Sequence, residues 1–177
     1  MEKKHSIALI GFMGTGKTAV GRKLAERLGG DYKFVESDEI IVKDAGKSIP
    51  EIFKQDGEIA FREYEITACK KASEMKNVVI SCGGGIVLNK INIDYLKRMA
   101  YIVLLTATPE EIFKRTMSEG KEKRPLLNRP DPMGEIKALM KFRSSFYAAH
   151  ATITIDTTNK TIDEVVEEII TKTGITR

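Results

Sequence analysis

Gly11-Phe12-Met13-Gly14-Thr15-Gly16-Lys17-Thr18 is the stretch whose reading decides the fold of this chain. It follows the apolar run Ile7-Ala8-Leu9-Ile10 and precedes a helical pattern through Leu24 and Leu28. Strand, glycine-rich loop and helix in that order are the context a phosphate-binding loop requires. Small residues let successive backbone N–H groups converge on one anion. The N-terminus of the following helix adds a partial positive charge. On this reading Gly14, Thr15, Gly16, Lys17, Thr18 and Ala19 hold the phosphates of a nucleotide. Lys17 reaches the β- and γ-phosphates, and the Thr18 hydroxyl faces Mg²⁺. A plain glycine turn would not call for three glycines, a lysine and a threonine in this register.

Working outward, strands and helices alternate. Strands are expected at 6–10, 32–35, 77–82, 101–105 and 151–155. Helices are expected at 17–28, 38–45, 58–75, 92–99 and 132–149, with others opened by Ser48-Ile49-Pro50-Glu51, Thr108-Pro109 and Thr161-Ile162-Asp163-Glu164. That order gives a three-layer α/β/α fold around a five-stranded parallel sheet, with residues 1–177 as one domain. In open parallel sheets ligands bind beyond the C-terminal ends of the strands. Glu36-Ser37-Asp38 lies at one such end, although Asp38 could serve only to cap a helix. Gly83-Gly84-Gly85 lies at another, where glycines leave N–H donors unobstructed. In the 132–149 helix the apolar positions are Leu139, Met140, Phe142 and Phe146. Arg143 is placed near its end, where a cation also suits the helix dipole. The segment 119–131 has neither helical nor strand period and carries Lys121, Lys123, Arg124 and Arg129. A basic lid closing over polyphosphate has a charge reason to exist.

The composition excludes several classes. Apolar residues make up 42% and charged residues 31% of the 177, as in an ordinary globular chain. No apolar run approaches the roughly 20 residues of a membrane span, and the chain leads straight into a strand with no signal-peptide pattern. A net charge of +4, no Trp and no interleaving of basic with aromatic residues argue for anionic small molecules rather than nucleic acid. Cys69 and Cys82 lack metal-ligand spacing and fit a reducing, cytoplasmic compartment. A monomer acting on a small-molecule substrate is expected.

With these residues in hand, the chain resembles the shikimate kinases, P-loop enzymes of the nucleoside-monophosphate-kinase architecture. The likeness rests on residues 11–18, Glu36-Ser37-Asp38, Asp56-Gly57-Glu58 followed by Phe61-Arg62, and Gly83-Gly84-Gly85. It continues through Arg115-Thr116, Lys123-Arg124-Pro125-Leu126-Leu127 and Arg143 ahead of Phe146-Tyr147. The resemblance implies transfer of the γ-phosphoryl of ATP, with Mg²⁺, to the 3-hydroxyl of shikimate in aromatic amino-acid biosynthesis. It implies shikimate contacts at Asp38, Arg62, Gly83, Gly84, Gly85, Arg124 and Arg143, with Lys17, Asp38 and Arg124 catalytic. It implies Arg115 beside adenine, and Thr18 with Glu36 toward the metal. Taken by composition alone, Arg62 would be a solvated charge. As a pair, Arg62 and Arg143 suit a carboxylate, which guanidinium forks grip in two places. Glu36 stands where the family usually has Asp, one methylene shorter. Two other readings stay open: a kinase of the same architecture acting on another polyol acid such as gluconate, and a nucleotide-binding module without catalysis.

Overall fold

Five short parallel strands, β1 (Ser6–Ile10), β2 (Lys33–Glu36), β3 (Val78–Ser81), β4 (Ala100–Thr106) and β5 (Ile153–Asp156), form one sheet in the order β2-β3-β1-β4-β5. This is a computed structural model, and it describes residues 4–118 and 130–175. Successive side chains on a strand point to opposite faces, and here both faces are covered. Ile7, Leu9, Val79, Val103 and Leu105 pack under α1 (Lys17–Leu28) and α8 (Ile162–Thr173). Ala8, Ile10, Val78, Ile80, Ile102 and Leu104 pack against the other layer. That layer consists of α4 (Gly57–Ser73), α5 (Lys90–Lys97), α6 (Pro109–Ser118) and α7 (Pro132–His150). Burial on both sides explains why the strands read as continuous apolar runs. The short α2 (Ser37–Ala45) and α3 (Ile49–Gln55) add a satellite cluster against α4 through Ile41, Ile52, Phe61 and Ala68.

The helix starts follow local chemistry. Ser48 and Glu51 close a full capping box, and Thr161 and Glu164 close another. Several boundaries differ from the sequence expectation. β2 is shifted one residue, which brings Glu36 into the strand and to the N-cap position of α2. Asp38 is therefore not a cap: it lies in the first turn, and its carboxylate is left for the site. α5 starts at Lys90, because the Asn89 side chain accepts the Ile91 N–H. β5 starts at Ile153, two residues later than expected. α7 continues to His150, so Arg143 stands about two turns inside the helix rather than at its end. Phe142 is 60% exposed and belongs to no core cluster. The proposed lid falls almost wholly on 119–129, outside the described residues.

One glycine is fixed by the join between β1 and its neighbour. Gly11 has φ +145°, and a Cβ there would lie 2.3 Å from the Leu105 carbonyl oxygen. The overlap is with backbone, which cannot swing away as a side-chain tip could. Gly11→Ala is expected to destabilise the fold by at least ~2 kcal/mol, from strained φ plus overpacking. Urea unfolding measures this; a midpoint equal to the parent's would refute the geometry.

Candidate active site

Three adjacent strand ends build the site, those of β2, β3 and β1. Their C-terminal edges open onto a cavity of about 600 Å³ lined by Gly14, Gly16, Lys17, Thr18, Ala19, Arg22, Glu36, Asp38, Ser81 and 82–84. This is the edge at which a parallel sheet presents its loops to ligands.

The loop after β1 is held open by its own contacts. The Thr15 hydroxyl donates to the Phe12 carbonyl at 2.8 Å. The Lys17 ammonium donates to the carbonyls of Gly11 and Phe12, both at 2.9 Å. Gly14 and Gly16 take positive φ, 72° and 92°, which turns the chain around the anion-sized hollow. Gly16 is the N-cap of α1 and supplies no side chain, so the helix's first N–H groups stay available to an anion. On the far side of the loop, Arg115 donates to the Gly14 carbonyl at 3.3 Å and to the Thr157 hydroxyl and carbonyl at 2.9 and 2.8 Å. With Gly14, Gly16, Ala19, Lys160 and Ile162 it lines a second cavity of about 260 Å³.

Toward the metal position, the Thr18 hydroxyl lies 3.4 Å from that of Ser81, at the end of β3. Glu36 reaches the same cavity from β2, and its Oε1 is buried with no hydrogen-bond partner among the described residues. The Arg22 guanidinium comes no nearer to that oxygen than 3.7 Å. A buried acceptor without a donor requires an explanation, and a water on a divalent ion is a suitable donor. No cluster of three or more metal-ligating side chains occurs among the described residues. Mg²⁺ typically takes one or two protein oxygens and completes its shell with phosphate and water. Thr18 and Glu36 fit that pattern, despite the extra methylene of Glu36.

Gly83 and Gly84 line the same cavity, and Gly85 follows them at its margin. The Gly83 N–H donates to the Ser37 hydroxyl at 2.9 Å, and that hydroxyl donates to Asp38 Oδ1 at 3.3 Å. A Cβ on Gly83 would meet Asp38 Oδ1 at 2.9 Å; on Gly84, an Arg143 amino nitrogen at 3.6 Å; on Gly85, an Arg62 amino nitrogen at 2.9 Å. Asp38, Arg143 and Arg62 thus stand over three successive residues, although they come from α2, α7 and α4. Arg62 is not a solvated charge. It pairs with Glu65 at 2.6 Å and Glu58 at 2.9 Å. Burial pushes the Glu65 carboxyl up and the Asp38 charge adds to that, while Arg62 and Arg143 pull it down. Arg143 has its guanidinium 5.9 Å from the centre of the Phe12 ring, and its Nε is buried without a partner among the described residues. Cys82 and Cys69 are free and buried, and burial pushes the Cys82 thiol up to about 12. Thiols held neutral in this way pack as small apolar groups rather than act as nucleophiles.

Glu65, Ser37, Ser81 and Tyr147 complete the site, and none was singled out from the sequence as a site residue. Glu65 had a readable signal. It shares the apolar stripe Phe61, Ala68, Cys69 and Ala72 on α4 at helical spacing and is only 2% exposed. A carboxylate on a core stripe needs a partner. Arg124 lies outside the described residues.

A family model described as shikimate kinase matches residues 13–173. The chain belongs to the shikimate kinase family. It is 48% identical to the shikimate kinase of Caldanaerobacter subterraneus subsp. tengcongensis, over 93% of this chain and 94% of that one. Among solved structures, it superposes on the Acinetobacter baumannii shikimate kinase in complex with shikimate with a TM-score of 0.86. That match has 34% identity and covers 97% of this chain and 93% of the other. A gluconokinase from Sinorhizobium meliloti shares the fold alone, with a TM-score of 0.63 at 15% identity, over 98% of this chain and 94% of that one. Membership makes this chain an ATP-dependent phosphotransferase with an alcohol as acceptor, using Mg²⁺ and acting on shikimate. No described helix of the kinase is long and apolar enough to cross a membrane.

Proposed function

We propose that the two halves of the 600 Å³ cavity hold ATP and shikimate in line, and that the whole chain acts as one kinase domain. The loop 11–18 takes the triphosphate, with Lys17 turning from its own loop carbonyls to the β- and γ-oxygens. The second cavity, floored by Ala19 and walled by Arg115, takes the base. Thr18 and Glu36 hold the ion and its water. When bound, a divalent ion neutralises charge gathering on the phosphate oxygens. On the acceptor side, Arg62 and Arg143 grip the carboxylate, and the N–H groups along 83–85 fix the ring against the sheet edge. Asp38 accepts the proton of the attacking hydroxyl as it closes on phosphorus. Lys17 and Arg124 stabilise charge on the transferring group. We further place the enzyme in the cytoplasm, which its free thiols suit, and take it as a monomer.

The observation that carries this reading is the convergence of Asp38, Arg143 and Arg62 on one glycine strip facing the phosphate loop. ADP release, followed with shikimate, with gluconate and with no acceptor, tests it. Turnover is expected with shikimate alone. Turnover with gluconate, or ADP release independent of acceptor, would overturn the assignment of the acceptor half.

A further inference from the structure

The glycine strip binds ligand only if its N–H groups point into the cavity, and the contacts that hold them there are few. The Gly83 carbonyl accepts from Ile86 N at 3.1 Å, and the Gly85 carbonyl accepts from Leu88 N at 3.0 Å. Those two are fixed by the strip's own turn. The Gly84 carbonyl is different: its partner among the described residues is a side chain, the Tyr147 hydroxyl of α7, which donates to it at 2.6 Å. The N–H groups of Gly84 and Gly85 have no protein partner among the described residues.

The Gly84 carbonyl and the Gly85 N–H belong to one planar trans peptide, so they point in opposite directions. Whatever fixes the carbonyl fixes the donor. With glycine on both sides of that peptide, its rotation meets little steric resistance. A single hydrogen bond from outside the strip therefore decides which way the donor faces. We infer that Tyr147 is a positioning residue of the acceptor site: by holding the Gly84 carbonyl it aims the Gly85 N–H at the bound acid.

The ring is well placed for this. Tyr147 is 6% exposed and packs in the core layer that includes Phe12, Leu104 and Ile112, which fixes where its hydroxyl lies. It stands one turn after Arg143 on the same helix, so α7 sets both the carboxylate clamp and the direction of the strip. Burial pushes the Tyr147 phenol up to about 12, although the charge of Arg143 and a hydrogen bond from its side chain pull the other way. The hydroxyl thus remains a donor at any pH at which the enzyme is assayed.

The inference rests on the acceptor reading above, and Tyr147→Phe tests it separately. The ring stays and only the hydroxyl goes. Because that hydroxyl also meets Arg143, the change is repeated in the Arg143→Ala background, where the same rise is expected and its disappearance overturns the inference. Wild-type turnover with shikimate establishes the reading first. The variant is then expected to raise KM for shikimate about five- to tenfold, as loss of one neutral hydrogen bond allows. KM for ATP and kcat should hold within a factor of about two, and the urea midpoint should fall by no more than the loss of one hydrogen bond requires. An unchanged KM for shikimate overturns the inference while leaving the acceptor assignment intact. A parallel rise in both KM values also overturns it, because that would be a general packing role.

Discussion

Asp38→Asn lowers kcat by about 10³-fold and leaves ATP affinity within about twofold of the parent. The substitution preserves shape, so the Ser37 hydroxyl that donates to Asp38 Oδ1 can still donate to an amide oxygen. What disappears is the ability to take a proton. Proton transfer to a positioned side chain contributes roughly 10²–10⁴-fold, and the loss falls on the chemical step. ATP affinity is spared for two reasons. The triphosphate is assigned above to the loop 11–18 and Lys17, whereas Asp38 is carried by α2. Removing a negative charge from that cavity also cannot weaken the hold on an anion. Stopped or steady-state ADP release at saturating shikimate gives kcat, and calorimetric titration with ATP gives the affinity. A kcat within twofold of the parent would remove Asp38 from the reaction and leave it an orienting acceptor.

The parts of this enzyme that could be read from the chain are those that local chemistry specifies. The phosphate loop announces itself by spacing, the two capping boxes by residue type, and the sheet by runs apolar on both faces. The contacts that assemble the candidate site cross the chain. Ser37 to Gly83 spans 46 residues, Tyr147 to Gly84 spans 63, and Arg115 to Gly14 spans 101. No periodicity encodes such a pairing, and a tyrosine on a helix reads as core until the target of its hydroxyl is seen. Of the apolar positions named on the 132–149 helix, Phe142 is the one left exposed, for a definite reason. Ile136, Met140, Arg143 and Tyr147 recur at helical spacing and form the inward stripe of α7. Phe142 falls beside that stripe, and its ring lies 5.7 Å from Phe146 near the surface.

The other large effect belongs to the two arginines, and they are expected to differ. Arg143→Ala raises KM for shikimate about 10²-fold with KM for ATP nearly unchanged, since a charge-assisted hydrogen-bonded pair is worth roughly 1.5–3 kcal/mol. The fold should tolerate it, because Arg143 makes no salt bridge among the described residues. Arg143→Lys keeps the charge but not the planar fork, and about a tenfold rise is expected. Arg62→Ala removes the same grip on substrate but also strips Glu65 of its cation in a buried position. Burial already holds the Glu65 carboxyl above its ordinary value, and loss of Arg62 moves it further the same way. A carboxyl raised in the fold binds its proton more tightly there than in the unfolded chain. Its ionisation therefore costs stability as pH rises from the ordinary carboxylate value through the raised one. Arg62→Ala should thus lie close to the parent in stability at mildly acidic pH and fall away from it toward alkaline pH. Arg143→Ala should show a smaller divergence, because Arg143 pulls on Glu65 less than Arg62 does and makes no ion pair with it among the described residues. Urea midpoints across that range, beside KM for each substrate, separate the two. Equal rises in both KM values would refute the clamp, and parallel pH profiles for the two variants would refute the role given to Glu65.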